Sequence, residues 1–266
     1  MPLGQSLKLS WRLRWLLGQF LVRELRGRYL GSISGIFWVF LQPIAQLAVY
    51  SLVFGVIFKV RFPELGEQGF VAFVAVALWP WLAFAEALQR ATAAVQSNAG
   101  LVKKVSLPSE LLVMAAVAAP YIVHGIGYLL VLALLGVREV SLNWLALPAL
   151  GWFWLVQGLF TLSLGLVLGA CQVFLRDLEH GLASVLMLWF YATPILYPRS
   201  LVPDFLLPLI NVNPMSYFTE RMRALLLYHD PQFYPSDLWM LAGSLTLCYL
   251  AWRLFRRCAA HFEDFL

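Results

Sequence analysis

Six intervals of this chain lack Asp, Glu, Lys and Arg, and that spacing restricts the fold more than any motif does. They run between Arg28 and Lys59, Glu67 and Glu86, Glu110 and Arg138, Glu139 and Arg176, Glu179 and Arg199, and Asp237 and Arg253. A helix needs about 20 apolar residues to cross the hydrocarbon layer of a bilayer. The first five intervals are long enough, and the last becomes so if Arg253 snorkels and lets Leu254 and Phe255 extend the helix. The expectation is an all-α integral membrane protein with six transmembrane helices, near 33–58, 70–90, 111–135, 144–172, 180–197 and 238–256. The fourth is long enough to tilt or project.

Composition points the same way. The 266 residues are 61% hydrophobic and only 12% charged, with a mean hydropathy of +0.77. Soluble domains carry about a quarter charged residues, and a globule of this size must cover itself with polar groups. A net charge of +5 would suggest nucleic acid in a soluble protein. Here it records Lys and Arg retained on the cytoplasmic side. With six spans, both termini share a side with the 91–110 and 173–179 connections, and that side holds thirteen of the 19 basic residues. Both termini are therefore expected in the cytoplasm. Cys171, Cys248 and Cys258 are scattered without metal-site spacing and read as small apolar fillers. Lys8, Arg12, Arg14, Arg23, Arg26 and Arg28 interrupt the start of the chain, so no cleavable signal is apparent.

Two regions depart from a plain bundle. Residues 1–30 place Trp11, Trp15, Val22, Leu25 and Tyr29 on one helical stripe, with Arg12, Gln19, Arg23 and Arg26 beside it. That suits an amphipathic helix lying in the cytoplasmic interface, although Leu13, Leu17 and Phe20 occupy its other faces. Residues 198–236 contain Pro198, Pro203, Pro208, Pro214, Pro231 and Pro235, and the apolar stretch 205–219 within them is short and broken by proline. Short re-entrant helices on the outer side, buried against protein, are expected there, because irregular backbone cannot face lipid. The remainder, 31–266, reads as one transmembrane domain.

The chain contains no Gly-Lys pair and hence no phosphate-binding loop of the P-loop kind. No His-Glu-x-x-His, Gly-x-Ser-x-Gly or paired-Cys metal site occurs either. The two halves show no inverted repeat, and carboxylates are nearly absent from the spans, which argues against an ion-driven pump. His124 reads as a helix-packing hydrogen bonder, and Glu86 with Arg90 as a structural pair near the interface. Energy for transport would then enter from another subunit.

Ser34, Trp38, Gln42, Gln46 and Tyr50 recur every four residues on the first span and form one polar and aromatic stripe; Trp189, Thr193 and Tyr197 repeat the idea on the fifth. A sugar polymer needs a lining that hydrogen-bonds and stacks, and aromatic rings with a polar edge supply both. Helix–helix contact with ordinary interfacial aromatics is the competing explanation. Gly31-x-x-x-Gly35 and Gly165-x-x-x-Gly169 allow close backbone approach without saying which helices meet. The segment 98–110, with Asn98, Leu101, Lys103, Lys104, Val105, Pro108 and Glu110, is basic, amphipathic and closed by proline. It has the character of a lever that docks into a groove of a cytoplasmic partner.

That segment resembles the inter-span coupling element of type-2 ABC exporter permeases, in the Wzm/KpsM/TagG-like polysaccharide branch. Arg26-Gly27-Arg28-Tyr29-Leu30-Gly31-Ser32, Gly35-Ile36-Phe37-Trp38 and Gln42-Pro43 are similar to that family's entry to its first span. Phe174-Leu175-Arg176-Asp177-Leu178 with His180, Thr193-Pro194-Ile195-Leu196-Tyr197-Pro198, and Asn213-Pro214 resemble its later connections. The resemblance implies a homodimer of permeases above two ATP-binding cassette subunits, which bind the ATP and Mg; no cofactor is expected in this chain. It implies lipid-linked polysaccharide as substrate, a bacterial inner membrane location, and a coupling element over 94–108. It further implies an outer gate over 198–216, and Arg26, Arg28, Arg176 and Asp177 at the cytoplasmic entry. Periplasmic or outer-membrane export partners would extend the route, and nucleic acid has no place in it. The alternatives are a permease for drugs or another lipid, an intramembrane glycosyl- or phosphotransferase built around Arg176-Asp177-x-Glu179-His180, and a non-catalytic membrane scaffold.

Overall fold

The stretch 69–93 mixes bulky apolar side chains with alanine on every face, a pattern that suits a helix surrounded by other helices. In the computed structural model, which describes residues 3–27, 33–58, 69–104 and 107–266, this is the central element. Chain order gives α1 (Leu3–Leu25), α2 (Ile33–Tyr50, continued by a π-helical stretch Ser51–Ile57), α3 (Gly69–Ala93) and α4 (Ala99–Lys104). These are followed by α5 (Glu110–Val137), α6 (Leu147–Phe174), α7 (Leu178–Tyr191), α8 (Leu207–Val212), α9 (Pro214–Leu226), α10 (Pro235–Ala259) and α11 (Phe262–Phe265). No strand occurs among the described residues.

Five of these helices are long and apolar enough to cross a membrane: Phe40–Ile57, Gly69–Ala93, Glu110–Val137, Trp144–Phe174 and Pro235–Ala259. The expected span over 180–197 takes a different form. Its helix, α7, ends at Tyr191 after 14 residues, about 21 Å of rise, and residues 192–197 run as irregular turns. Pro194 withholds an N–H and Thr193 turns its hydroxyl back onto the Trp189 carbonyl, so the helix stops early. The chain still passes from one end of the bundle to the other here. α6 ends beside α11, where Phe174 meets Phe262 and Phe265. α10 begins at the opposite end, where Phe233, just before it, stacks on Phe153 near the start of α6.

α3 packs against α5, α6, α7 and α9, whereas α2 and α10 are peripheral. Two details show how the centre is assembled. Pro80 cannot donate to the carbonyl four residues earlier, and the Tyr128 hydroxyl from α5 donates to that Val76 oxygen at 2.8 Å. Gln157 from α6 donates to the Pro80 carbonyl itself at 2.8 Å. The glycine pair on α6 meets α3 at one residue: a Cβ on Gly165 would lie 2.7 Å from Ala91 Cβ, and one on Gly169 would lie 2.8 Å from the Ala91 carbonyl oxygen. Gly31 of the other glycine pair lies outside the described residues.

The N-terminal helix turns to the body a face that the sequence pattern leaves unassigned. Leu13, Leu16, Leu17 and Phe20 pack into the cluster formed with α5 and α3, and Trp15 and Val22 of the expected stripe point outward. Residues 207–226 form the two short helices α8 and α9. Met215, Phe218, Met222 and Leu225 are fully buried, so α9 belongs to the core.

Candidate functional site

Among the described residues, the end of the bundle that carries α4 gathers most of the basic side chains. Asn98 closes the turn before α4: its Nδ2 donates to the Ala94 carbonyl at 2.8 Å, and its Oδ1 accepts from Arg23 of α1 at 2.6 Å. Gln172, buried at the end of α6, donates to Gln96 at 2.8 Å and to the Arg176 carbonyl at 2.9 Å, and it accepts from the Glu179 backbone at 3.0 Å. One amide thus ties the turn before α4 to the α6–α7 corner. Leu101 and Val102 pack toward the body and Lys103 and Lys104 are exposed. Pro108 and Glu110 lead into α5 half-buried, and Val105 lies outside the described residues. Arg26, Arg176 and Asp177 are exposed at this same end, Arg176 donating to the Phe265 carbonyl at 3.2 Å; Arg28 lies outside the described residues.

The two polar stripes find different surroundings. On α2, Gln42 is exposed and Gln46 donates to the Tyr50 hydroxyl at 2.9 Å. The Tyr50 ring stacks on Phe190 of α7 at 6.0 Å, which sets α2 against α7 through a residue beside the second stripe. The side chains of Ser34 and Trp38 lie outside the described residues. On α7, Trp189 packs edge-on against Phe84 at 5.1 Å, and Thr193 is fully buried. Tyr197 is half-buried and donates to the Tyr191 carbonyl at 2.8 Å. Trp189 and Thr193 are therefore knitted into the body, and Tyr191 and Met187 form the exposed face of α7.

Asn213 is what holds them there. Its Oδ1 accepts from Trp189 Nε1 at 2.8 Å and from the Met215 backbone at 3.0 Å. Its Nδ2 donates to Thr193 Oγ1 at 2.9 Å and to the Ala192 carbonyl at 3.1 Å. Asn213 is thus at once the N-cap of α9 and a clamp on the end of α7. Arg223, nearly three turns further along α9, donates to the carbonyls of Phe73, Pro194 and Ile195 at 3.0, 2.6 and 2.7 Å, with its guanidinium over the Phe73 ring. It supplies the donors that the irregular 192–197 backbone lacks.

Arg221 anchors the same segment to α10. It meets both oxygens of buried Asp237 at 3.0 and 3.2 Å and lies over the rings of Phe153 and Tyr234. Asp237 also accepts from the Tyr217 hydroxyl and the Tyr234 backbone. Desolvation first, and then the hydrogen bond to Asp237, pushes the Tyr217 phenol up to about 12, so it remains a donor. Sequence reasoning missed Gln172, Arg221, Arg223 and Asp237. The signal available was two arginines, Arg221 and Arg223, interleaved with Phe218, Met222 and Leu225 in a short helix, where buried charge survives only with partners.

A helical body with five helices of crossing length and a small helix presented at its basic end narrows the comparison, and similarity then decides it. The family model described as ABC-2 type transporter matches residues 16–227. The chain belongs to the ABC-2 type transporter family. Among its relatives are proteins named "O-antigen export system permease protein RfbA". The one from Myxococcus xanthus is 30% identical over 255 residues, covering 94% of this chain and 95% of the relative. One from Klebsiella pneumoniae is 26% identical over 275 residues, covering 98% and 100%. This ABC-2 chain and those permeases thus align over nearly all of their lengths.

Proposed function

We propose that this chain is the transmembrane subunit of an ATP-driven exporter of O-antigen polysaccharide. Two copies would pair around the route, and a separate nucleotide-binding subunit beneath each copy would bind ATP and Mg and supply the energy. The shared length with permeases named for O-antigen export supports the cargo, and the lack of a P-loop supports a separate engine. Both termini then lie in the cytoplasm of a bacterial inner membrane, with α1 resting in the interface. Six crossings result, the fifth made by short α7 together with the turns 192–197, while α8 and α9 sit as re-entrant helices on the outer side.

α4 carries this reading. It is a six-residue helix with Leu101 and Val102 turned to the body and Lys103 and Lys104 to solvent, and the turn before it is held by Asn98 and, through Gln96, by Gln172. A rigid, basic projection of that kind suits an acidic groove on a partner, and movement of the partner would reach α1, α3, α5 and α6 together. On the face of α2, Gln42 and Gln46 offer hydrogen bonds to sugar hydroxyls and Tyr50 offers a ring to stack on. The α7–α9 clamp would form the outer gate. The test is Lys103→Glu with Lys104→Glu in the assembled complex. Permease-stimulated ATP hydrolysis and export both fall about tenfold or more if α4 is the docking lever; normal coupling would remove it from that role. Cargo movement by the purified chain alone, with no nucleotide, would remove the transporter reading altogether.

A further inference from the structure

Four ionisable side chains from three helices touch end to end in the half of the bundle that carries α4. Arg90 Nη1 of α3 donates to Glu24 Oε2 of α1 at 3.2 Å. Arg90 Nε lies 3.0 Å from Glu86 Oε1, one turn away on the same helix. The other oxygen of Glu86 is 2.9 Å from Nε2 of His124, midway along α5. The side chains of Arg90 and His124 are 12% and 6% exposed, and those of Glu86 and Glu24 are 20% and 25%. Sequence reasoning had separated these residues into a lone packing histidine and a local ion pair; the fold makes them one chain.

Stability alone does not account for it. A buried ion pair gives little advantage over well-packed apolar residues of the same volume, and Leu13, Leu16, Leu17 and Phe20 already supply an apolar seam between α1 and the body. Apolar seams are non-directional and tolerate sliding. Charged contacts near 3 Å do not, because a displacement of one helical turn, about 5.4 Å, breaks both partners at once. The residue beside Glu24 completes the pattern: Arg23 donates to Asn98 at the start of α4. α1 is therefore pinned through adjacent side chains to α4 on one side and to α3 and α5 on the other.

We propose that Glu24, Arg90, Glu86 and His124 form a mechanical link that turns displacement of α4 and α1 into displacement of α3 and α5 deep in the bundle. Glu86, Arg90 and His124 are then positioning residues for export, acting at a distance from cargo and nucleotide. The link rests on the coupling role of α4 proposed above and adds the path by which the motion enters the body.

The experiment uses the whole complex with its nucleotide-binding subunit, and the readout is export per ATP hydrolysed. Glu86→Gln keeps the shape of the side chain and one hydrogen bond but removes the charge between Arg90 and His124. It is expected to leave assembly and ATP hydrolysis within about twofold and to lower export per ATP about tenfold, the size of an ordinary coupling free energy. An unchanged ratio overturns the link. The second variant carries Glu24→Cys and Arg90→Cys in a background of Cys171→Ala, Cys248→Ala and Cys258→Ala. Export per ATP is expected to be low when the thiols are free and to recover when a short bis-thiol reagent bridges them. A ratio that bridging does not change overturns the link as well. Wild-type complex that hydrolyses no ATP in a permease-dependent way removes the transporter reading instead, so the two failures are told apart.

Discussion

Arg223 donates from Nη2 to the carbonyl of Ile195 at 2.7 Å, and this contact holds an arginine of α9 against the irregular turn that ends α7. The same guanidinium reaches Pro194 and, across the core, Phe73 of α3. Five planar donors on one group can satisfy three carbonyls at once, and a lysine ammonium cannot match that fork. Arg223→Met leaves buried carbonyls without donors, at about 1–3 kcal/mol each. The expected outcome is a lower thermal midpoint in detergent and new protease cleavage within 192–213. Arg223→Lys should fall between wild type and methionine.

Tyr128 and Pro80 make a pair whose energies are coupled. The tyrosine hydroxyl matters because Pro80 leaves the Val76 carbonyl without its helical donor. Tyr128→Phe is expected to cost about 1–3 kcal/mol. In a Pro80→Ala background the restored N–H serves Val76, so the same change should cost about 1 kcal/mol less. Chemical unfolding of the four variants in a double-mutant cycle measures the difference; additive costs would show that Tyr128 serves another purpose.

Gly165 and Gly169 should respond differently to alanine. At Gly165 the new methyl meets the Ala91 methyl, and at Gly169 it meets the Ala91 backbone oxygen. Both substitutions overpack the α3–α6 contact, by about 1–3 kcal/mol. Ala91→Gly is expected to rescue Gly165→Ala and to leave Gly169→Ala uncorrected, because the obstacle there is main chain. Thermal midpoints of the single and double variants separate the two cases.

Gln42 and Asn213 are expected to separate route from scaffold. Gln42 is exposed on α2, so Gln42→Ala should lower polysaccharide export while assembly and thermal midpoint stay at wild-type values. Trp38→Ala on the same stripe is expected to do likewise. Asn213→Ala removes four hydrogen bonds of the α7–α9 clamp and should lower the midpoint first, with export lost in proportion. Export that survives both stripe substitutions would take α2 out of the route.

Membrane residence, the helical class, the basic end and the absence of an ATP-binding loop were all legible in the order of residues, since each depends on local composition or on a missing pattern. The residues of α4 and the proline-broken segment before α10 announced themselves in the same way, because charge interleaved with apolar residues and repeated proline act over short distances. The tertiary structure alone decided which partners the polar residues find. Trp189 and Thr193 shared a helical stripe with apparent access to a route, and the asparagine that claims them lies some twenty residues away. Glu86 and His124 looked independent because 38 residues separate them. In an apolar medium a buried polar group must find a partner wherever the fold supplies one, and helix periodicity reports only which face a residue occupies. What that face meets is settled when the helices pack.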